Sequence, residues 1–247
     1  MKKIILISGG LGVLGQAYAK VLTQDGHRVL LLDARAPAKG QALFGEFILC
    51  DVVNEQDIKK LQKYLTEQGA EVFGLINNAS CQPDGFTKEL EDYSAETFKK
   101  VLEVNLVGSF HLTKMVVPFM KKQKSGSIIN IGSIQGVVAP SFAIYEGMGI
   151  TSPLSYAVAK SGMIHFSKWI AARYGQWNIR CNAVSPGGLS DSQKGGSKFE
   201  KIYSAKVPLG RMVHSSEVAE TIRFLMSDKA RYITGQNILI DGGWTIQ

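Results

Sequence analysis

The stretch ILISGGLGVLGQAYAKVL, residues 5–22, places four glycines between a short apolar run and a segment with helical periodicity. Three of them have the spacing Gly10-x-Gly12-x-x-Gly15, in which the absence of Cβ atoms lets a phosphate approach the first turn of a helix. The free N–H groups and the positive dipole end of such a turn favour a pyrophosphate. The pattern predicts a dinucleotide-binding loop that comprises Gly9, Gly10, Gly12, Val13, Leu14 and Gly15.

Apolar runs and longer amphipathic segments alternate along the rest of the chain. The apolar runs are rich in Ile, Leu and Val without polar alternation, as in strands buried on both faces of a parallel sheet. We therefore expect one α/β domain over residues 1–247, a Rossmann-type doubly wound parallel sheet with helices on both faces. The predicted strands are Lys3–Ser8, Arg28–Asp33, Glu46–Cys50, Val72–Asn77, Gly126–Gly132, Ile179–Val184 and Asn237–Ile240. The predicted helices are Val13–Asp25, Glu55–Gln68, Ala95–Lys122, Leu154–Gln176 and Ser216–Met226.

The composition suits one domain with a sizeable core: 247 residues, of which 45% are hydrophobic and 20% charged. The net charge of +7 comes from scattered residues, so it indicates anionic small ligands rather than nucleic acid. Three widely spaced cysteines, Cys50, Cys81 and Cys181, favour a reducing compartment. The four histidines lack metal-ligand spacing, and no apolar run is long enough for a signal peptide or a membrane span. The sequence therefore predicts a soluble cytoplasmic protein without a metal site.

The ends of the second and third predicted strands bear on the choice of cofactor. A carboxylate at Asp33 can accept hydrogen bonds from the adenosine ribose hydroxyls and repel a 2′-phosphate, which favours NAD over NADP. Arg35 could instead receive a 2′-phosphate, so NADP stays open as the less favoured cofactor. Asp51 and Val52 follow the third strand, where we expect them to border the adenine.

A candidate acid–base pair lies in SPLSYAVAK, residues 152–160, where Tyr156 and Lys160 share one face of a helix. A nearby ammonium lowers the pKa of a tyrosine from its ordinary value of about 10. The pair can then move a hydroxyl proton while a hydride moves elsewhere. Ser133 lies just past a strand end, where ligands gather in such sheets, and Asn105 interrupts a long helix.

Taken together, these motifs make the chain resemble the short-chain dehydrogenase/reductase family over nearly its full length. The resemblance implies hydride transfer between nicotinamide and a carbinol or carbonyl carbon. Besides Ser133, Tyr156 and Lys160, the motifs that carry it are the glycine loop, NNAS (77–80), VNLVG (104–108), SPGG (185–188) and TGQNILIDGG (234–243).

The resemblance also implies a role for each site residue. Tyr156 would be the general acid/base, and Lys160 would lower its pKa and hold the nicotinamide ribose. Ser133 would orient and polarise the substrate oxygen, and Asn105 would support a water-linked proton path through Lys160. The further residues implied to border the cofactor are Asn78, Ala79, Ser80, Pro186, Gly187 and Leu189.

Two features depart from the compact branch of that family. Val13 stands where the compact TGxxxGxG loop has glycine, whereas the extended-type pattern TGxxGxxG fits through Ser8, Gly9, Gly12 and Gly15. Residues 133 and 156 are also farther apart than in compact members. The extended branch often modifies nucleotide-linked sugars, but NNAS, DGGW and the short C-terminal part indicate a compact body. We therefore expect a compact enzyme with a sugar-like substrate mouth.

Two irregular segments, 135–153 and 186–207, are expected on the substrate side. Gln135, Tyr145 and Gly188 are the predicted substrate contacts, and the polar, glycine-rich stretch 185–201 is expected to be a mobile lid. The first segment resembles dehydrogenases of bacterial surface-sugar pathways, those of nonulosonate and flagellin glycan biosynthesis. An ordinary surface loop is the alternative for it.

The leading function is an NAD(H)-dependent oxidoreductase acting on a secondary alcohol or ketone of a polar substrate, a sugar or sugar phosphate. The alternatives are an NADPH-dependent enzyme of the 3-oxoacyl-[acyl-carrier-protein] reductase type and a non-catalytic nucleotide-sensing or scaffold protein. The family resemblance also implies a homodimer or homotetramer that pairs through helices 95–122 and 154–176.

Overall fold

Seven parallel strands form one sheet in the computed structural model, which describes residues 3–190 and 197–247. The strand order is β3-β2-β1-β4-β5-β6-β7, and every paired strand is parallel to its neighbour. This confirms the predicted doubly wound sheet. The strands are β1 (Ile4–Ser8), β2 (Arg28–Asp33), β3 (Glu46–Leu49), β4 (Val72–Asn77), β5 (Gly126–Ile131), β6 (Ile179–Pro186) and β7 (Asn237–Ile240).

Helices cover both faces of this sheet. The helices are α1 (Val13–Gln24), α2 (Glu55–Glu67), α3 (Ala95–Leu102), α4 (Gly108–Gln123), α5 (Leu154–Tyr174), α6 (Lys198–Ala205) and α7 (Ser215–Met226). Helices α1 and α7 pack on one face, and α2, α4 and α5 pack on the other. No helix among the described residues combines the length and apolar character needed to cross a bilayer.

Alternate residues of the central strands serve the two faces. In β1, Ile5 and Ile7 join the cluster under α1 and α7, whereas Leu6 joins the cluster under α2, α4 and α5. Both sides of each strand therefore need apolar side chains, because successive residues of a strand point to opposite faces. This is the physical reason for the apolar runs without polar alternation.

The connections place the carboxyl ends of β1 and β4 side by side. β1 pairs with β2 on one side and with β4 on the other, so successive strands are added in opposite directions across the sheet from this point. Ligands of open α/β sheets bind in the crevice outside such a switch point. The glycine turn after β1 opens at this crevice.

Several predicted ends are shifted by one or two residues, and two predicted segments differ from the structure in type. The expected helix 95–122 is interrupted at Glu103–Val107 by a π-helical turn, which separates α3 from α4. The segment 186–207, expected to be a loop, contains α6; its start is capped by Ser197, whose hydroxyl accepts from the Glu200 N–H. Tyr203 of this helix is buried, and the mobile lid over 185–201 stays a prediction; residues 191–196 lie outside the described part.

Candidate active site

In the glycine turn, the backbone geometry and packing of the protein require glycine at positions 9, 10 and 15, whereas position 12 leaves space for a ligand. Gly9 has a positive φ of 62°, and a Cβ at Gly10 would lie 2.8 Å from the Cβ of Leu31. A Cβ at Gly15 would collide with the Gly9 carbonyl oxygen. At Gly12 the nearest atom to an added Cβ is 3.4 Å away, an ordinary contact. Packing therefore does not require glycine at this position, whereas a close-approaching phosphate does.

The first turn of α1 suits an anion. Gly12 caps the helix without a side-chain hydrogen bond, and the first turn contains no acidic residue. Its N–H groups and the dipole end are thus offered to a ligand. Val13 is 56% exposed in this turn, so the valine that replaces the compact-branch glycine meets no packing conflict.

Asp33 lies at the carboxyl end of β2, beside the glycine turn. Its carboxylate accepts hydrogen bonds from the Leu11 N–H at 3.3 Å and the Arg35 N–H at 3.2 Å. The Asp33 side chain is only 10% exposed, whereas the Arg35 side chain is 86% exposed, and the Arg35 Nε lies 3.9 Å from the Asp33 carboxylate. The carboxylate is the preorganised group of the two, as ribose recognition requires.

The ends of β1 and β4 are joined by Ser8 and Asn78. The Ser8 hydroxyl oxygen accepts from the N–H groups of Asn78 at 3.0 Å and Ala79 at 3.1 Å. The Asn78 amide donates to the carbonyl oxygens of Ser8 and Gly9, each at 3.1 Å. These bonds fix the glycine turn against the NNAS segment, and Ser8 supplies the hydroxyl that threonine supplies in the family pattern.

The other predicted cofactor residues differ in what they offer. The Asp51 carboxylate accepts from the Val53 N–H at 3.2 Å within its own turn. Val52 is buried in the core against Gly108, so any contact with adenine would have to come from its main chain. Ser80, the last residue of NNAS, is exposed.

Ser133, Tyr156 and Lys160 come together at the carboxyl end of β5. Ser133 and Tyr156 line the same cavity, and the Lys160 ammonium lies 5.3 Å from the centre of the tyrosine ring. Helix α5 approaches because Gly136 has no side chain; a Cβ there would lie 2.7 Å from the Lys160 carbonyl carbon. The predicted triad is therefore assembled by a close contact between two segments.

Burial sets the pKa values of this pair. It raises the pKa of Tyr156, although the neighbouring Ser133 hydroxyl acts in the opposite direction. Burial also lowers the pKa of Lys160 to about 8. The predicted lowering of the tyrosine pKa is thus wrong for the protein chain by itself. The lysine donates to the Ile131 carbonyl oxygen at 2.8 Å and lies over the ring, and burial of the phenol is the largest influence on the pKa of Tyr156.

Asn105 lies in the π-helical turn and is 1% exposed. Its amide donates to the Val101 carbonyl oxygen at 2.9 Å, and its own main-chain carbonyl accepts from Ser109 at 2.6 Å. Its side-chain oxygen is buried and has no partner among the described residues. No direct hydrogen bond joins it to Lys160 in that part of the chain, so the proton path remains an expectation. Such π turns recur at functional sites.

A cavity of about 380 Å³ opens in front of Ser133 and Tyr156. Gln135, Tyr145 and Gly188, the predicted substrate contacts, all line it together with Leu14 and Pro186–Leu189. The Gln135 amide donates to the Tyr145 hydroxyl at 3.4 Å, and the Gly188 N–H donates to the Tyr203 hydroxyl at 2.6 Å.

Sequence reasoning missed several residues of the cavity wall. Phe199 and Tyr203 of α6 line the cavity, and their rings lie 5.7 Å apart. Their spacing of four residues was an available helical signal. The polar composition around them obscured it. The remaining missed lining residues are Gln82, Ile131, Gly132 and Ile134.

A doubly wound sheet with a Ser–Tyr–Lys group beside a glycine turn at its carboxyl edge defines a nicotinamide-dependent oxidoreductase. A family model described as enoyl-(acyl carrier protein) reductase matches residues 12–245. The 3-oxoacyl-[acyl-carrier-protein] reductase of Thermotoga maritima is 33% identical over 254 residues, covering 99% of this chain and 98% of that protein. The post-translational flagellin modification protein A of Campylobacter coli is 30% identical over 256 residues, covering 98% of each.

Two solved structures extend the comparison. The short chain dehydrogenase of Leptospira borgpetersenii with bound NAD+ has a TM-score of 0.89 at 36% identity, covering 99% of this chain and 93% of that one. An NAD+-bound xylitol dehydrogenase has a TM-score of 0.84 at 28% identity, covering 98% of each chain. The chain belongs to the short-chain dehydrogenase/reductase family and is an oxidoreductase acting on hydroxyl or keto groups.

Proposed function

We propose that this protein is an NAD(H)-dependent dehydrogenase or reductase for a secondary alcohol or ketone of a polar, carbohydrate-like substrate. One observation carries the proposal: Ser133 and Tyr156, with Lys160 beside the tyrosine ring, line a cavity of about 380 Å³ at the carboxyl edge of the sheet. A substrate oxygen hydrogen-bonded to the Ser133 and Tyr156 hydroxyls would place the carbon that carries it in this cavity, on the side that faces the glycine turn.

Each side chain then has a distinct task. Ser133 holds the substrate oxygen, and Tyr156 takes the carbinol proton during oxidation or returns it during reduction. Lys160, charged below its pKa of about 8, would stabilise the phenolate that accepts the carbinol proton in oxidation and that remains after the proton is donated in reduction. The dinucleotide, when bound, supplies the hydride acceptor or donor at its nicotinamide.

The residues present fit such a dinucleotide. The α1 turn at Gly12 would hold the pyrophosphate, and Asp33 would accept from the adenosine ribose hydroxyls. The Asp33 carboxylate is held by two main-chain N–H groups, whereas the Arg35 side chain is largely exposed, and this difference favours NAD over NADP. The two NAD+-bound structures named above are consistent with this choice.

The cavity wall supports a hydroxylated substrate. Gln135 and Tyr145 add an amide and a hydroxyl to the Ser133 and Tyr156 hydroxyls, and these groups match substrate hydroxyls through hydrogen bonds. The similarity to a xylitol dehydrogenase agrees with a polyhydroxylated substrate.

A second candidate is an NADPH-dependent 3-oxoacyl-[acyl-carrier-protein] reductase. The 33% identity to such an enzyme favours it, and the net charge of +7 would suit an acidic carrier. Asp33, and the absence of a basic residue in the glycine loop, speak against the 2′-phosphate of NADPH. Measurable turnover would exclude the alternative of a non-catalytic nucleotide-sensing or scaffold protein.

The first experiment titrates the protein with NADH and with NADPH and measures both affinities. We expect tighter binding of NADH because Asp33 repels the 2′-phosphate; tighter binding of NADPH would overturn the Asp33 argument. Sugars, polyols and sugar phosphates are then screened as reductants of NAD+, with acyl thioesters as oxidants of NAD(P)H. Activity on acyl thioesters alone would replace the carbohydrate proposal by the carrier-protein alternative.

The second experiment is Tyr156→Phe. We expect this variant to lose turnover by at least about 10³-fold, in the range of a positioned general acid/base, while NADH affinity stays unchanged. Tyr64→Phe serves as the matched control, because Tyr64 lies in α2 and does not line the cavity. Turnover that survives in Tyr156→Phe would refute the catalytic assignment.

We also propose a homo-oligomer that pairs through α4 and α5. Phe110 of α4 is 47% exposed and Trp169 of α5 is 56% exposed, so both helices present large apolar side chains to the outside. All three cysteines are free thiols, which agrees with the proposed reducing, cytoplasmic setting.

A further inference from the structure

A second, wider cavity of about 720 Å³ lies beside the reaction cavity. One wall comes from residues 87–92, which follow the NNAS segment, and the other comes from residues 142–151 of the long segment between Ser133 and Tyr156. We call this cavity the outer groove. Its charged lining residues are Lys88, Glu89, Asp92 and Glu146.

The walls of the outer groove are held in place by the body of the protein. The Thr151 N–H donates to the Thr87 carbonyl oxygen at 3.1 Å, which joins the two walls directly. Ile144 is buried in the apolar cluster that contains Tyr203 and Met212, so the middle of the long segment is anchored. The long segment between Ser133 and Tyr156 is therefore a packed wall of the groove rather than an ordinary surface loop.

Tyr145 connects the outer groove with the reaction cavity, because it lines both. Its ring packs on Phe199 of α6 with centroids 5.6 Å apart, and its hydroxyl accepts from Gln135 at 3.4 Å. These contacts leave the phenol hydrogen free for a substrate at the junction. A ligand that reaches Ser133 and Tyr156 can therefore continue past Tyr145 into the groove.

The outer groove has an acidic balance. Three carboxylates and one ammonium line it, and none of these four groups forms an ion pair with another described residue. Lys198 of α6 lies at its rim, near Gly147, and adds one positive charge there. With the rim included, carboxylates still outnumber ammonium groups, so the groove attracts cations and repels phosphate.

We infer that the outer groove binds the non-reacting part of an extended polar substrate, a part that carries hydroxyl or amino groups and no phosphate. This inference rests on the proposed carbohydrate oxidoreductase function and narrows it, because it removes sugar phosphates from the substrate class. Tyr145 divides the site into a reacting end and a recognition end.

The test compares matched neutral, amino and phosphorylated forms of aldohexoses, such as glucose, glucosamine and glucose 6-phosphate, together with the corresponding galactose and mannose series. The measured quantity is kcat/KM for NAD+ reduction by each form. In the wild type we expect the phosphorylated form to be at least about tenfold poorer than the neutral form, mainly through KM.

The test variant neutralises the groove by Glu89→Gln, Asp92→Asn and Glu146→Gln together. We expect the tenfold disadvantage of the phosphorylated form relative to the neutral form to disappear and the amino form to become poorer relative to the neutral form, while NADH affinity stays unchanged. Glu91→Gln, in the same wall but outside the lining, is the matched control and should leave the order unchanged.

The outcomes separate the two proposals. If neutral sugars are oxidised and the three charge forms are used equally, or the triple variant changes all forms alike, the groove inference is wrong and the function stands. A wild-type preference for phosphate also overturns it. If no sugar form is oxidised and acyl thioesters are reduced, the proposed function fails and the groove inference fails with it.

Discussion

Replacing Lys160 by methionine should abolish turnover and, at neutral pH, stabilise the fold. The ammonium is 97% buried, since the residue is 3% exposed, and this burial lowers the pKa of Lys160 from 10.5 to about 8. A lowering of this size corresponds to about 3 kcal/mol of unfavourable free energy for the charged form in the folded state. Methionine fills a similar volume and carries no charge.

One favourable contact is lost in exchange. The Lys160 ammonium donates to the Ile131 carbonyl oxygen at 2.8 Å, and leaving that acceptor without its partner costs about 2 kcal/mol. At pH 7 we therefore expect Lys160→Met to be more stable than the wild type by about 1 kcal/mol, a rise of about 2–4 °C in the thermal midpoint for a chain of this size.

The stability difference between the variant and the wild type should change with pH, in a direction that follows from the pKa values of Lys160 in the folded and unfolded states. Below pH 8 the lysine is protonated in both states, and the full penalty is present in the wild type. Between pH 8 and 10.5 the unfolded chain binds the extra proton, so the wild type gains stability as the pH rises. The advantage of the variant should shrink across this window and reverse by pH 10.5.

The assay is denaturant unfolding of both proteins at pH 7, 8, 9 and 10.5, with the difference in unfolding free energy as the measured quantity. Lys168→Met, exposed on the same helix, is the control and should give a difference that does not change with pH. The reasoning is refuted if Lys160→Met is less stable than the wild type at pH 7 by an amount that stays constant to pH 10.5.

Two further predictions concern the glycine turn and the apolar helices. Gly12→Ala should keep the wild-type thermal midpoint within about 2 °C and lose NADH affinity by at least about tenfold. Gly15→Ala should instead lower the free energy of unfolding by about 1–3 kcal/mol. Both variants are followed by thermal unfolding and NADH titration, and wild-type NADH affinity in Gly12→Ala would contradict the phosphate assignment. The pair Phe110→Glu and Trp169→Glu should yield monomers in light scattering, and Phe44→Glu, on another exposed surface, should not; an unchanged mass in the double variant would contradict pairing through α4 and α5.

The order of the strands along the chain could be predicted because each buried strand has a local signature. The run Arg28–Asp33 was placed at its observed bounds, and so was Val72–Asn77. Both are covered on two faces, so nearly every residue must be apolar, and the pattern is complete within the segment. The same locality let the glycine turn be recognised.

The irregular parts could not be predicted to the same depth. α6 depends on the cap at Ser197 and on the burial of Tyr203 against Trp244, whose rings stack 4.3 Å apart. Likewise, the only sign of the π turn in the sequence is Asn105, a poor helix former. Long-range contacts override weak local preference in both cases.

The sequence by itself determined the class of chemistry, because Ser133, Tyr156 and Lys160 are recognisable by type and spacing. Only the tertiary structure decided how that chemistry is tuned. Burial, which no local pattern records, raises the pKa of Tyr156 and lowers that of Lys160 to about 8. The same holds for Tyr145, whose place between two cavities follows from packing against a helix more than fifty residues farther along the chain.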